Sequence, residues 1–75
     1  MPPVPIVKQT EVRKALERAG FRYVTQEGSH VKMRREGVSV ALPQHKGWDM
    51  PAGTLRNILD QAGMTVEEFM RWLRA

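Results

Sequence analysis

Apolar residues recur along this chain in two rhythms. Val12, Ala15, Leu16 and Ala19 stand at i, i+3, i+4 and i+7, the spacing of one helical face. Thr10 precedes them as an N-cap. Gly20 follows as a C′ stop, with Phe21 placed for the hydrophobic contact that accompanies such a stop. Arg13, Lys14, Glu17 and Arg18 occupy the wet face of this predicted helix. The rhythm returns in Leu55, Ile58, Leu59 and Ala62, opened by Pro51 in a first turn and closed by Gly63. It returns again in Val66, Phe69, Met70 and Leu73, where Thr65 and Glu68 have the spacing of a capping box.

Between the first and second helices the period changes to two. "FRYVTQ" is aromatic and β-branched, while "SHVKMRR" and "VSVALP" alternate. Glu36-Gly37 reads as a tight turn joining the last two strands. That turn pairs Arg35 with Val38, Met33 with Val40 and Val31 with Leu42, and sets Arg34 against Ser39, Lys32 against Ala41 and His30 against Pro43. One sheet face then collects Val31, Met33, Val38, Val40 and Leu42. The other carries His30, Lys32 and Arg34, and a one-residue slip would mix the two sets. Glu27-Gly28 reads as the earlier turn, which places Val24 on the apolar face and Tyr23 and Thr25 near Lys32 and His30.

The pattern predicts an α+β fold of order α-β-β-β-α-α, a three-stranded antiparallel sheet with helices packed on one face. Residues 1–9, with Pro2, Pro3 and Pro5, read as an extended N-terminal arm. Residues 10–75 read as a single domain. "QHKGWDM" is a loop between the sheet and the second helix.

Composition narrows the chemistry. A 75-residue chain buries only about 60% of its unfolded surface, so its stability is modest. It has no cysteine, which removes a disulfide framework and thiolate zinc sites and suits a reducing cytosol. Two histidines are too few for an ordinary closed zinc site without carboxylates, and no cofactor motif is present. No apolar run approaches the roughly 20 residues of a membrane span. The net charge of +4 points to a polyanion: nucleic acid, an acidic protein or an anionic lipid surface.

His30 heads a basic strand on the face turned away from the helices. Imidazole titrates near neutrality. Beside a phosphate, its neutral form can take the proton of an RNA 2′-hydroxyl, which then attacks the adjacent phosphorus. Lys32, Arg34 and Lys46 can offset the charge that builds on the phosphoryl oxygens. The route uses no metal and no protein nucleophile, and it excludes DNA, which lacks the 2′-hydroxyl. A histidine on an exposed basic strand is nonetheless more often a phosphate contact than a catalyst, and lysines and arginines there more often bind than catalyse. His45 is a second proton-transfer group, a phosphate contact or a solvated loop residue. Trp48 stacks on a base or covers an edge of the core. Tyr23 stacks on a base or pairs across strands, and Trp72 extends the core sideways or serves a protein contact.

The order of these pieces resembles a known family. Gly20-Phe21 after a first amphipathic helix, then "QEGSH", then "LPQHKGWDMPAGTLRNILDQAGMTVEEF" is similar to the HicA, or YcfA-like, mRNA interferase toxins. The likeness runs from Glu11 to Leu73 and is most distinctive at Gly28-Ser29-His30, His45-x-Gly47 and Pro51-x-Gly53-Thr54-Leu55. It implies a double-stranded-RNA-binding-domain-like fold, cytoplasmic cleavage of mRNA, and growth arrest. It also implies a HicB-type antitoxin as partner, covering the active face. His30 matches the histidine that the family needs for activity. Ser29, Lys32, Arg34, His45, Lys46 and Trp48 are then the expected RNA-binding residues. Many relatives carry Arg-Gln where this chain has Thr25-Gln26, so Lys32 or Arg34 takes over one phosphate contact. A non-catalytic RNA-binding module of the same fold is the alternative. So is a protein-interaction domain that meets an acidic partner.

Overall fold

The computed structural model describes residues 4–45 and 47–75. Its elements are β1 (Val7–Lys8), α1 (Gln9–Arg18), β2 (Arg22–Glu27), β3 (His30–Arg35), β4 (Val38–Pro43), β5 (Asp49–Met50), α2 (Ala52–Ala62) and α3 (Val66–Arg74). The antiparallel sheet has the order β2-β3-β4, and β1 and β5 form a separate two-stranded ladder. The α+β layout and the six principal elements are those the hydrophobic pattern predicts.

The β3–β4 register matches the expected one at every pair, from His30 opposite Pro43 to Arg35 opposite Val38. Glu36 (φ 50°) and Gly37 (φ 81°) both have positive φ, as a type I′ hairpin turn requires. Val31, Met33, Val40 and Leu42 are at most 1% exposed. They form one cluster with Val12, Leu16, Phe21, Leu55, Ile58, Leu59 and Phe69, so the helices cover this face of the sheet. Each such side chain contributes about 1.5–3 kcal/mol when taken fully out of water. Val38 lies at the margin of that face and stays exposed.

The β2–β3 register differs from the expected one. The turn is Gly28-Ser29, not Glu27-Gly28, so Glu27 rather than Thr25 lies opposite His30. Only Gly28 (φ 57°) of these two has positive φ, the pattern of a type II′ turn with glycine first. Gly28 supplies the positive φ at the first turn position without a Cβ penalty. A two-residue displacement leaves faces unchanged, and Thr25 remains on the open side opposite Lys32. A β-bulge between Tyr23 and Thr25 then reverses the faces beyond it. Tyr23 pairs with Met33 and Arg22 with Arg34. Tyr23 therefore lies on the helix side, its ring beneath the Arg13 guanidinium at 5.7 Å, and not beside Lys32. Val24, the unpaired bulge residue, is 48% exposed rather than part of the core.

The first helix begins one residue before Thr10, with Lys8 at the N-cap position and no side-chain cap. Tertiary contacts replace the cap. The β1–β5 ladder sets Val7 against Met50 and Lys8 against Asp49, and the Gln9 amide donates to the Trp48 carbonyl at 3.3 Å. Lys8 Nζ also donates to Asp49 at 2.9 Å. At the other end, Phe21 N donates to Leu16 O and Gly20 N to Glu17 O, a Schellman closure of α1. Arg35 belongs to the helix side, as expected. Its Nη1 donates to the Ala19 carbonyl at 2.7 Å and its guanidinium lies 4.7 Å from the Phe21 ring centroid. Arg18 Nη1 donates to Trp72 O and Leu73 O, tying α1 to the C-terminal end of α3. Pro51 stands just outside α2 and its carbonyl accepts the first helical bond, from Leu55 N.

The expected capping box at α3 forms in full: Thr65 N donates to Glu68 Oε1 and Glu68 N donates to Thr65 Oγ1, both at 3.1 Å.

Two outcomes follow from these local geometries. Glu36→Asn, which tolerates positive φ better, should stabilise the hairpin by about 0.5–1 kcal/mol; a lower denaturation midpoint would show that the Glu36 side chain itself contributes. The second outcome concerns acid. The Thr65 backbone N–H, then the Thr65 side chain, hold the Glu68 carboxyl below its ordinary pKa. This contribution is complete above the unfolded-state pKa and disappears as pH falls through the lower folded-state value. Glu68→Gln should thus be less stable than the parent near neutrality, and melting curves of the two should converge in acid.

Candidate functional site

The open face of the sheet is organised in three rows across the strands. The first holds Glu27, His30 and Pro43. The second holds Thr25, Lys32 and Ala41. The third holds Arg22, Arg34 and Ser39. Successive rows are two residues apart, about 7 Å along the strand. His30, Lys32 and Arg34 are exposed, while their neighbours Val31 and Met33 are fully buried.

His30 is the first residue of β3, immediately after the Gly28-Ser29 turn. It shares a small open cavity of about 160 Å³ with Glu27, Lys32 and Ala41. Ala41 supplies no bulk above the sheet, so the histidine and lysine are reachable from solvent. The turn is braced on two sides. Gln26 Nε2 donates to the Gly28 carbonyl at 3.2 Å, and Gln44 N donates to the Ser29 carbonyl at 2.6 Å. Ser29 thereby joins the turn to the loop that follows β4.

That loop carries the remaining expected site residues. Trp48 N donates to the His45 carbonyl at 3.0 Å. The two rings meet edge to face, with centroids 4.8 Å apart and planes at 84°. Trp48 is half-buried and His45 exposed. Gln44 brings the loop to the Gly28-Ser29 turn, but the ring that His45 meets is Trp48. Lys46 lies outside the described residues. Arg34, in the third row, donates from Nε to Ser39 Oγ at 3.2 Å. His30, Lys32 and Arg34 therefore form one strip, Ser29 buttresses its head, and His45 and Trp48 stand as a separate pair on the adjoining loop.

Two residues on this face escaped the sequence reading. Glu27 stands directly across from His30, a position that a Gly28-Ser29 turn would have assigned to it. Arg22 stands across from Arg34 only because of the bulge, for which the local sequence carries no signal.

The chain can now be placed among known proteins. A family model described as the HicA toxin of bacterial toxin-antitoxin matches residues 10–64. The chain belongs to the HicA toxin family. It is also 33% identical over 58 residues to a probable mRNA interferase HicA of Pseudomonas fluorescens (strain Pf0-1), an alignment that covers 77% of this chain and 97% of that protein. The HicA match takes in the Gly28-Ser29 turn, His30, the His45–Trp48 loop and all of α2.

Gly28 has open space where a Cβ would stand, so its requirement is dihedral rather than steric. Gly28→Ala should cost about 1–2 kcal/mol, and Gly28→Asn should cost less. Equal losses in chemical denaturation would show that something other than the positive φ is at stake.

Proposed function

We propose that this chain is the toxin of a toxin–antitoxin pair and acts as an endoribonuclease on mRNA, with His30 as the catalytic residue. The observation that supports this most directly is the position of His30. It stands exposed at the head of a basic strip, in a cavity with Lys32 and Glu27, in a chain of the HicA family. The P. fluorescens relative, named a probable mRNA interferase, supports the same substrate.

In the proposed reaction, His30 takes the proton of a 2′-hydroxyl. The 2′-oxygen attacks the neighbouring phosphorus and the bond to the 5′-oxygen breaks. The leaving oxygen takes a proton from water, and the imidazolium returns its own to solvent. The products are a 2′,3′-cyclic phosphate and a 5′-hydroxyl. Lys32, about 7 Å along the strand from His30, offsets charge on the phosphoryl oxygens, and Arg34 grips the chain further along. Ser29, His45, Lys46 and Trp48 contact RNA beside the site, with the Trp48 ring available to a base. The nucleophile belongs to the substrate, so the chemistry needs no metal.

The inhibitor in this reading is a HicB-type antitoxin that covers the open face with acidic residues in the cytoplasm. Such pairing gives fast association that slows with salt. Among the described residues no helix is long and apolar enough to cross a membrane.

Expression of the parent should arrest growth with loss of intact mRNA. His30→Ala should remain folded by circular dichroism and lose cleavage by a factor of at least about 100. Cleavage should persist in EDTA and leave cyclic phosphate ends. Parent-level cleavage by His30→Ala would sink the catalytic assignment. Purified parent that binds RNA but leaves it intact would instead favour a binding module.

A further inference from the structure

Arg22 and Arg34 are direct register partners across β2 and β3. Like charges placed directly opposite each other on a sheet destabilise it. They line an open cleft of about 490 Å³ with Ala19, Gly20, Arg35 and Glu36, at the end of β3 remote from His30. The three arginines of this cleft differ in how far they are engaged. Arg35 is held by the Ala19 carbonyl and the Phe21 ring. Arg34 donates from Nε to Ser39 Oγ on β4, the strand on the other side of β3 from Arg22, and no bond of its Nη groups is found among the described residues. No hydrogen bond or ion pair of Arg22 is found among the described residues. Glu36 is the one acid lining the cleft.

From this arrangement we infer that Arg22 and Arg34 form a second phosphate-binding site, a clamp for the RNA backbone away from the reacting bond. The inference rests on the ribonuclease reading for the identity of its ligand, but it assigns a residue and a site of its own. Two guanidinium forks on adjacent strands match the planar, bidentate recognition of a phosphodiester. Arg34 is four residues from His30, about 13 Å along the same strand. An RNA strand lying along the open face passes His30, Lys32 and then the clamp. The bulge explains the site's existence: without it Arg22 would turn toward the helices and Arg34 would face Tyr23. An anion between the two arginines removes the repulsion that the free hairpin carries, so binding and hairpin stability are linked.

The test uses a fluorescent single-stranded oligonucleotide with 2′-O-methyl groups throughout, which binds but cannot be cleaved by 2′-hydroxyl attack. Arg22→Gln and Arg34→Gln should each weaken its binding about tenfold at low salt. Each should also reduce the slope of log affinity against log salt by about 0.7. Arg22→Gln in the absence of RNA should melt at or above the parent temperature at low salt, with any gain removed by high salt. Arg22→Lys, which keeps the charge but not the fork, should retain the parent salt slope at reduced affinity. Unchanged affinity and slope in both glutamine variants overturn the clamp. So does a loss of binding that comes with a lowered melting temperature. Weakened binding of an acidic protein partner with normal RNA binding overturns it too, in favour of a protein contact. Because the oligonucleotide cannot react, failure of the clamp and failure of His30 catalysis are read separately: the former appears in this titration, the latter in cleavage by His30→Ala.

Discussion

Burial of Val31 and Met33 beneath the helices is the contact on which the rest of the molecule depends. Both side chains are essentially inaccessible, and each adds about 1.5–3 kcal/mol to a fold whose total stability is of the order of 5–15 kcal/mol. The pleat then leaves no freedom for their neighbours. His30, Lys32 and Arg34 must point the other way. A one-residue slip would push two cations into the core, and unpaired buried charge is far more costly than any hydrogen bond could repay. The same hydrophobic force that folds the domain therefore displays its basic strip.

Tight turns convert that strip into a site. The Gly28-Ser29 turn puts His30 at the first position of β3, open to solvent, while Gln26 and Gln44 hold the turn from either side. The loop that follows β4 is held at both ends, by Ser29 through Gln44 and by Gln9 through Trp48. Precision at the head of the strip thus comes from hydrogen bonds accepted by backbone carbonyls rather than from bulk. This arrangement leaves His30 and Lys32 open to solvent on the face turned away from the helices.

The cost of such a face is electrostatic. Lys32, Arg34 and Arg22 share the open face with Glu27 as the one acid in its three rows, and Arg22 and Arg34 stand directly opposite each other. Elsewhere the positive charges are used structurally: Arg35 and Arg18 satisfy carbonyls at the ends of α1 and α3, where cations also favour the helix dipole. The basic residues thus divide into those that close helix ends and those that stand exposed on the open face of the sheet. Composition alone cannot separate them.

Local periodicity was enough to determine the three helices, the β3–β4 hairpin and the two faces of β3. A helical stripe, a capping box and a glycine turn each act within a few residues. The HicA motifs around Gly28-Ser29-His30 and Pro51-x-Gly53 were legible for the same reason. Only the tertiary structure decided the rest. Two adjacent turns, at Glu27-Gly28 or Gly28-Ser29, both contain a glycine, and the choice between them decides whether Glu27 or Thr25 lies across from His30. The bulge at Val24 carries Arg22 to the open face and Tyr23 to the helices. Val7 and Met50 show no periodicity, yet they pair across more than forty residues and are buried. Thr10 lost its capping role to that same ladder. These are non-local contacts, and a pattern read along the chain has no access to a force that acts between distant segments.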